Sequence, residues 1–293
     1  MKLNAKIISS ISVVIFSLLL VPAVFAIDWP SDNGRVLHNF GWNDKGQPSL
    51  FHSFESEGAI RSADSGEIIF INDTEHMASS IPSPLGSWMA IEQGDGLIGI
   101  YSRFENREDQ AISNIVEQGV ILAFSGMSGW SERNGFSFTL YDSKENRWVN
   151  PAMIFPVLLD TRAPVIQQVL LVAPDGRTIN PATQRVLPQG QYKILVDAVD
   201  TLNANQNPLA VHRISCMVNG VESGVMHMET FSGQNGKLMT YRRVSVPADQ
   251  AYVSYPSYEV GEVLFNRGQA VLEIIVHDVA DNSRNAVFRL TVE

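Results

Sequence analysis

Beyond residue 26, turn-forming residues punctuate the chain every eight to twelve positions, and almost no stretch between them carries a helical period. Short β-rich runs cut by Gly, Pro, Asn and Asp at that spacing predict an all-β architecture. In the first half the strand candidates are 66–71, 88–92, 97–104 and 136–141. The charged stretch 105–114 reads as a loop or one short helix. Two prolines and the sequence Asp160-Thr161-Arg162 mark 156–164 as a seam. Two domains are therefore expected, at 27–157 and 158–293.

Beyond the seam the strand candidates are 165–173, 192–200, 212–219, 225–231, 238–246, 270–277 and 286–293. Phe288, Leu290 and Val292 alternate with Arg289, Thr291 and Glu293, and Tyr192, Ile194, Val196 and Ala198 form a similar stripe. Seven short alternating strands in this length predict an immunoglobulin-like β-sandwich. No Cys-Trp-Cys pattern is present, so it is not of the antibody type. The last two strands are expected to form a hairpin across Asp278–Asn282.

The first 26 residues read as a signal peptide. Lys2 and Lys6 precede an apolar run from Ile7 to Leu20, and Val24-Phe25-Ala26 fits a small-x-small cleavage pattern. An uncleaved anchor is the competing reading, although the run falls short of the roughly 20 apolar residues a spanning helix needs. No later stretch suits a bilayer, so no transmembrane segment is expected after cleavage. Without Lys2 and Lys6, 19 basic residues face 31 acidic ones, a formal charge of −12. Such a surface does not track a phosphate backbone, which argues against a nucleic-acid partner. The single cysteine, Cys216, sits in an apolar run and reads as a buried small hydrophobe.

Four sets of residues in the first half belong together by order and spacing. Trp29-Pro30, Gly34, Val36 and Phe40-Gly41 come first, followed by Ser65-Gly66-Glu67-Ile68-Ile69. Met89 to Leu97 and Tyr101-Ser102-Arg103-Phe104 follow. The last set is Glu117-Gln118-Gly119, Ser125-Gly126-Met127-Ser128-Gly129, Phe136 to Leu140 and Asn150-Pro151. Together they resemble the LytM/lysostaphin-type family of zinc peptidoglycan endopeptidases over about residues 29–156. The resemblance implies an antiparallel β domain with a substrate groove, and a bacterial exported protein of the periplasm or cell envelope.

The departures fall where that family keeps its chemistry. The resemblance implies an H-x-x-x-D pair, an H-x-H whose second His binds zinc, and an assisting His on the Tyr-containing strand. Here Gly135 and Ser137 stand at the H-x-H, Arg103 at the assisting His, and Gln93 at a further His. Near the start only His52 is available, with Ser56 where the Asp falls, and the spacing from His52 to the next hairpin is short. Catalytic zinc needs three protein ligands and an open position. Ser is a poor ligand, Gly is none, and Arg103 repels a cation. No metal, cofactor or catalytic residue is therefore expected. His38, His76, His212, His227 and His277 show no ligand spacing.

The positions of the former site, His52, Gln93, Tyr101, Arg103, Trp130 and Ser137, are expected to line a binding groove. Trp88, Tyr101, Trp130 and Trp148 either stack on sugars and peptides there or fill the core. Arg103 either pairs with a carboxylate of a ligand or faces solvent. Gly-Met-Ser-Gly-Trp is not a nucleophile elbow, and Asp142 with Glu145 reads as a hairpin tip rather than a glycosidase pair. Asp278, Asp281 and Asn282 read as a turn, with calcium as the alternative. The favoured function is a non-enzymatic envelope protein that binds peptidoglycan or regulates a cell-wall hydrolase. An active zinc endopeptidase and a purely structural envelope protein are the alternatives.

Overall fold

The computed structural model describes residues 27–31, 33–73, 83–105, 114–203 and 207–293. The expected signal segment, His76 and most of 105–114 lie outside the described residues. The chain is almost all β, as the turn spacing predicts. The first half runs β1 (Arg35–His38), β2 (Asn43–Asp44), β3 (Gln47–Pro48), β4 (His52–Glu55), β5 (Ala59–Arg61) and β6 (Gly66–Asn72). It continues with β7 (Ser87–Glu92), β8 (Leu97–Glu105), β9 (Ile115–Val116), β10 (Ile121–Ser125), β11 (Gly135–Asp142) and β12 (Arg147–Val149). The second half runs β13 (Val165–Val172), β14 (Thr178–Ile179), β15 (Val186–Leu187), β16 (Gly190–Val199), β17 (Arg213–Val218) and β18 (Val221–Gln234). It ends with β19 (Lys237–Arg242), β20 (Val244–Pro247), β21 (Ser257–Phe265), β22 (Gly268–His277) and β23 (Ser283–Val292).

In the first half, β6, β7, β8, β11 and β4 pair antiparallel in that order. Their apolar side chains and those of β5 and β10 build one core, including Ile60, Met89, Ile91, Tyr101, Phe104, Phe138 and Leu140. In the second half, β13, β16 and β21 form one sheet, while β18, β17, β22 and β23 form another. Leu171, Ile194 and Val260 from the former meet Ile214, Leu272 and Leu290 from the latter in a second core. The hairpin expected across 278–282 is present, with His277 opposite Ser283.

Two second-half expectations change. The stretch 238–246 is not one strand, because the chain doubles back at Arg243 (φ +58°) and β19 pairs with β20. Strand β21 carries no clean sequence signal, since Gly261 and alternating acids break its apolar run. It nevertheless pairs with β16 along nearly its full length.

The halves are joined through the backbone. Strand β12 pairs antiparallel with β18, setting Trp148 opposite Phe231. Asn150 extends the pairing. Its backbone N–H donates to the Glu229 carbonyl at 2.8 Å and its side-chain amide to the Met228 carbonyl at 2.9 Å. The Asn150 side-chain oxygen accepts from the Ala152 N–H, capping the short turn at Pro151–Met153. Side chains also cross over. Phe40 belongs to the second core and lies 5.0 Å from the Phe231 ring, whereas Leu209 belongs to the first.

This crossing makes a prediction. All five tryptophans lie in the first half, while Phe40 fills the second core. Phe40→Ala should cost about 3–5 kcal/mol. It should also lower the unfolding midpoint read by tryptophan fluorescence together with the one read by far-UV circular dichroism. Separate midpoints in parent or variant would show that the halves unfold independently.

Candidate functional site

Three neighbouring strands, β4, β11 and β8, set the site. Directly opposed residues in antiparallel pairs project from the same face, and successive residues alternate. One row across the strands is Ser53, Ser137 and Ser102. The adjacent row is His52, Phe138 and Tyr101. Phe138 and Tyr101 are core residues, so the histidine row faces inward and the serine row faces outward.

On the outward side lies a cleft of about 980 Å³. Ser53, Ile100 and Thr139 lie on its floor. Ser137 and Ser102 share that face by register but are buried, and the Ser137 hydroxyl has no hydrogen-bond partner. One wall carries His38, Trp42, Phe51 and the β2–β3 hairpin, and the other carries Trp130, Glu132 and Arg133.

Arg103 reaches the cleft through a bulge. Trp88 pairs with Ser102 and Ser87 with Phe104, which leaves Arg103 as the extra residue, at φ +67°. Its backbone N–H donates to the Leu85 carbonyl at 2.8 Å. The guanidinium sits 4.9 Å from the centre of the Phe51 ring, a cation–π distance. The Nε of Arg103 is buried without a partner. Burial lowers the pKa of the group, against a raising influence from Glu132.

Trp130 is 75% exposed, yet its loop is pinned. The Ser128 hydroxyl donates to the Phe104 carbonyl at 2.8 Å and accepts from the Ser87 N–H at 3.1 Å. The Trp130 N–H donates to the Pro84 carbonyl at 3.1 Å. Gly129 (φ +65°) passes so close to Gly86 that a Cβ would fall 2.3 Å from its nitrogen. The glycines of Gly126-Met127-Ser128-Gly129 thus hold a bare indole at the rim of the cleft.

Register divides the six expected groove positions. Arg103 and Trp130 line the cleft, and Ser137 lies on the same face beneath it. His52, Gln93 and Tyr101 are on the opposite, inward face. The Tyr101 hydroxyl accepts from the Ala63 N–H at 2.8 Å and from the Gln93 amide at 3.1 Å. Burial pushes its pKa up to about 12. Gln93 packs over Gly99, where a Cβ would crowd its amide. His52 is 3% exposed, lies between Trp29 and Phe54, and has no partner for Nδ1. Of the other aromatics, Trp148 lines the cleft and Trp88 stacks on Phe70 at 4.5 Å.

His38 lines the cleft, stacked on Trp42 at 5.0 Å, and burial lowers its pKa. It has no second imidazole beside it among the described residues of the cleft. Among the described residues, the one group of three side chains placed to share a cation is Asp160, Asp200 and Asp278, at the seam. Asp200 carried no signal in the sequence, because its partners are distant along the chain. The Asp278–Asn282 turn is closed by its own hydrogen bonds. Asp278 accepts from the Asn282 N–H and from its side-chain amide, each at 2.8 Å, while Asp281 points into solvent. No described helix is long and apolar enough to cross a membrane.

A protein-family model matches residues 163–293. A search of curated proteins finds no match to the chain. Among solved structures, the chain is similar to the catalytic domain of the prophage-encoded M23 protein EnpA from Enterococcus faecalis. Identity is 21% over 43% of this chain and 95% of that one, with a TM-score of 0.35. It is similar to the catalytic domain of the antimicrobial peptidase lysostaphin from Staphylococcus simulans at 17% identity. That match covers 38% of this chain and 82% of the other, with a TM-score of 0.32. Csd3 of Helicobacter pylori aligns at 17% identity over 46% of this chain and 36% of its own length, with a TM-score of 0.36. The chain thus spans about a third of Csd3.

His52 yields a pH prediction. Burial holds its folded pKa at about 3, against an ordinary value of 6.5. The unfolded chain therefore takes up the proton first as pH falls, and stability is lost progressively below 6.5. Between about pH 7.5 and about pH 4.5, His52→Phe should lose roughly 2–3 kcal/mol less stability than the parent in urea unfolding. The carboxylates are common to both proteins and cancel in the difference. Equal losses would mean that the imidazole is hydrated in the folded state.

Proposed function

We propose that this is an exported bacterial envelope protein whose first half is a degenerate LytM-type module that binds peptidoglycan without cutting it. The second half is proposed to be an immunoglobulin-like support. The observation that carries the reading is the pairing of Arg103, with its unpartnered Nε, and the exposed Trp130 across one cleft. A guanidinium with free donors suits the carboxylates of peptide stems. An exposed indole on a pinned loop suits the apolar face of a sugar or a peptide. Peptidoglycan offers both within one repeat. The motif resemblance supports the same substrate class.

The cleft chemistry supports binding over hydrolysis. Gly135 and Ser137 occupy the positions that the resemblance assigns to imidazoles, Arg103 brings a positive charge, and His52 is turned into the core. Hydrolysis of an amide by zinc requires three ligands around one point and a bound water. The described residues of the cleft do not bring such a set together.

Sedimentation with purified murein sacculi tests the proposal. The full-length protein should pellet with them and release no peptide fragments. Arg103→Ala should weaken binding about tenfold or more, the range for a charge-assisted hydrogen bond. Trp130→Ala should cost a similar or larger factor. A protein that stays in the supernatant would refute the proposal. Stoichiometric zinc with released peptides would replace it by the endopeptidase reading.

A further inference from the structure

We propose that Asp160, Asp200 and Asp278 bind a calcium ion that clamps the seam between the two halves. The three come from separate places: the connecting segment, the end of β16 and the β22–β23 turn. All three are buried, and one carboxylate oxygen of each lies within 4.8 Å of the others. Two ligands on opposite sides of a calcium ion, at about 2.3–2.6 Å each, stand roughly 4.6–5.2 Å apart, so this spacing fits a shared ion.

The cluster has features that a packed acidic turn lacks. Asp160 Oδ2 and Asp200 Oδ1 are buried with no hydrogen-bond partner. None of the three carboxylates forms an ion pair with a described basic residue. An unpaired buried charge is costly, and three together are costlier. A second observation comes from the first half. His52, with its unpartnered Nδ1, lines the same small cavity as the three aspartates, together with Trp29. The cavity holds about 50 Å³, room for an ion and a water.

The donor chemistry selects the ion. Three carboxylates with no thiolate, and with the imidazole outside their cluster, form a hard oxygen set, which suits calcium and not zinc. Calcium also accepts irregular geometry and completes its shell with carbonyls or waters. The consequence is mechanical. Val157 and Leu158 of the connecting segment line this cavity, so the ion would fasten that segment to the end of β16 and the β22–β23 turn. The inference stands apart from the cleft and from any cell-wall ligand.

The test uses the full-length protein stripped with EDTA. Calcium chloride should raise the thermal midpoint by several degrees and give a saturable one-site heat in calorimetry. Asp200→Asn should remove both responses, while Asp281→Asn, in the same turn but exposed, should keep them. Terbium should replace calcium, with emission sensitised by Trp29, and Trp29→Phe should dim it. This readout decides the matter if Asp200→Asn fails to fold. No heat, no midpoint shift and no terbium signal would overturn the site. An equal response to magnesium would overturn the assignment of the ion. Unchanged binding in a folded Asp200→Asn would overturn the ligand set.

Discussion

Strand alternation across β4, β11 and β8 governs what this protein can do. Because adjacent residues on a strand face opposite ways, His52 and Ser53 enter different environments although they are neighbours in sequence. The inward row, His52, Phe138 and Tyr101, is buried, with Phe138 and Tyr101 in the core and His52 beside the seam cavity. The outward row, Ser53, Ser137 and Ser102, carries hydroxyls, which bind metal poorly, and of the three only Ser53 lines the cleft. The one local exception is the bulge at Arg103, which takes that side chain out of the alternation and presents it beside Phe51. That single extra residue puts a guanidinium among the aromatic side chains of the cleft.

The sequence was most legible where one strand face is dry. Phe288, Leu290 and Val292 announced their strand because alternation matches burial. The glycines of 126–129 signalled a turn, and the structure adds the reason for them: close passage of Gly126 against Glu105 and of Gly129 against Gly86. Asn150-Pro151 was legible as a motif, but its role as a backbone bridge to Met228 and Glu229 depends on a strand about eighty residues away. Strand β21 was invisible because its partner β16 supplies what its own sequence lacks. The candidate site was legible only in part. Residue types marked the positions, but a shift of one residue decides the face, and nothing local reveals it. His52, Gln93 and Tyr101 looked like groove residues and proved to share an inward face. Asp200 could not be found at all, since three carboxylates at 160, 200 and 278 meet only in the folded chain.

The second half does more than extend the first. The β2–β3 hairpin that walls the cleft rests on it. The Asn43 amide donates to the Ser257 carbonyl at 3.3 Å, and Trp42 lies 4.5 Å from Tyr255. Gly46 (φ +86°) sits where a Cβ would come within 2.9 Å of the Val253 carbonyl. The position of that wall, and so the width of the cleft, is set by how the halves are seated on each other. Three elements fix the seating: the β12–β18 pairing, the exchange of Phe40 and Leu209 between cores, and Asn39, whose amide bonds the Ala210 backbone at 2.7 and 2.9 Å. Asn39 and Ala210 also line the cavity that contains the three aspartates. Seam and cleft are therefore connected by packed side chains. The segment 36–50 belongs to both, with Val36 and Asn39 at the seam cavity and Trp42 to Leu50 along one wall of the cleft.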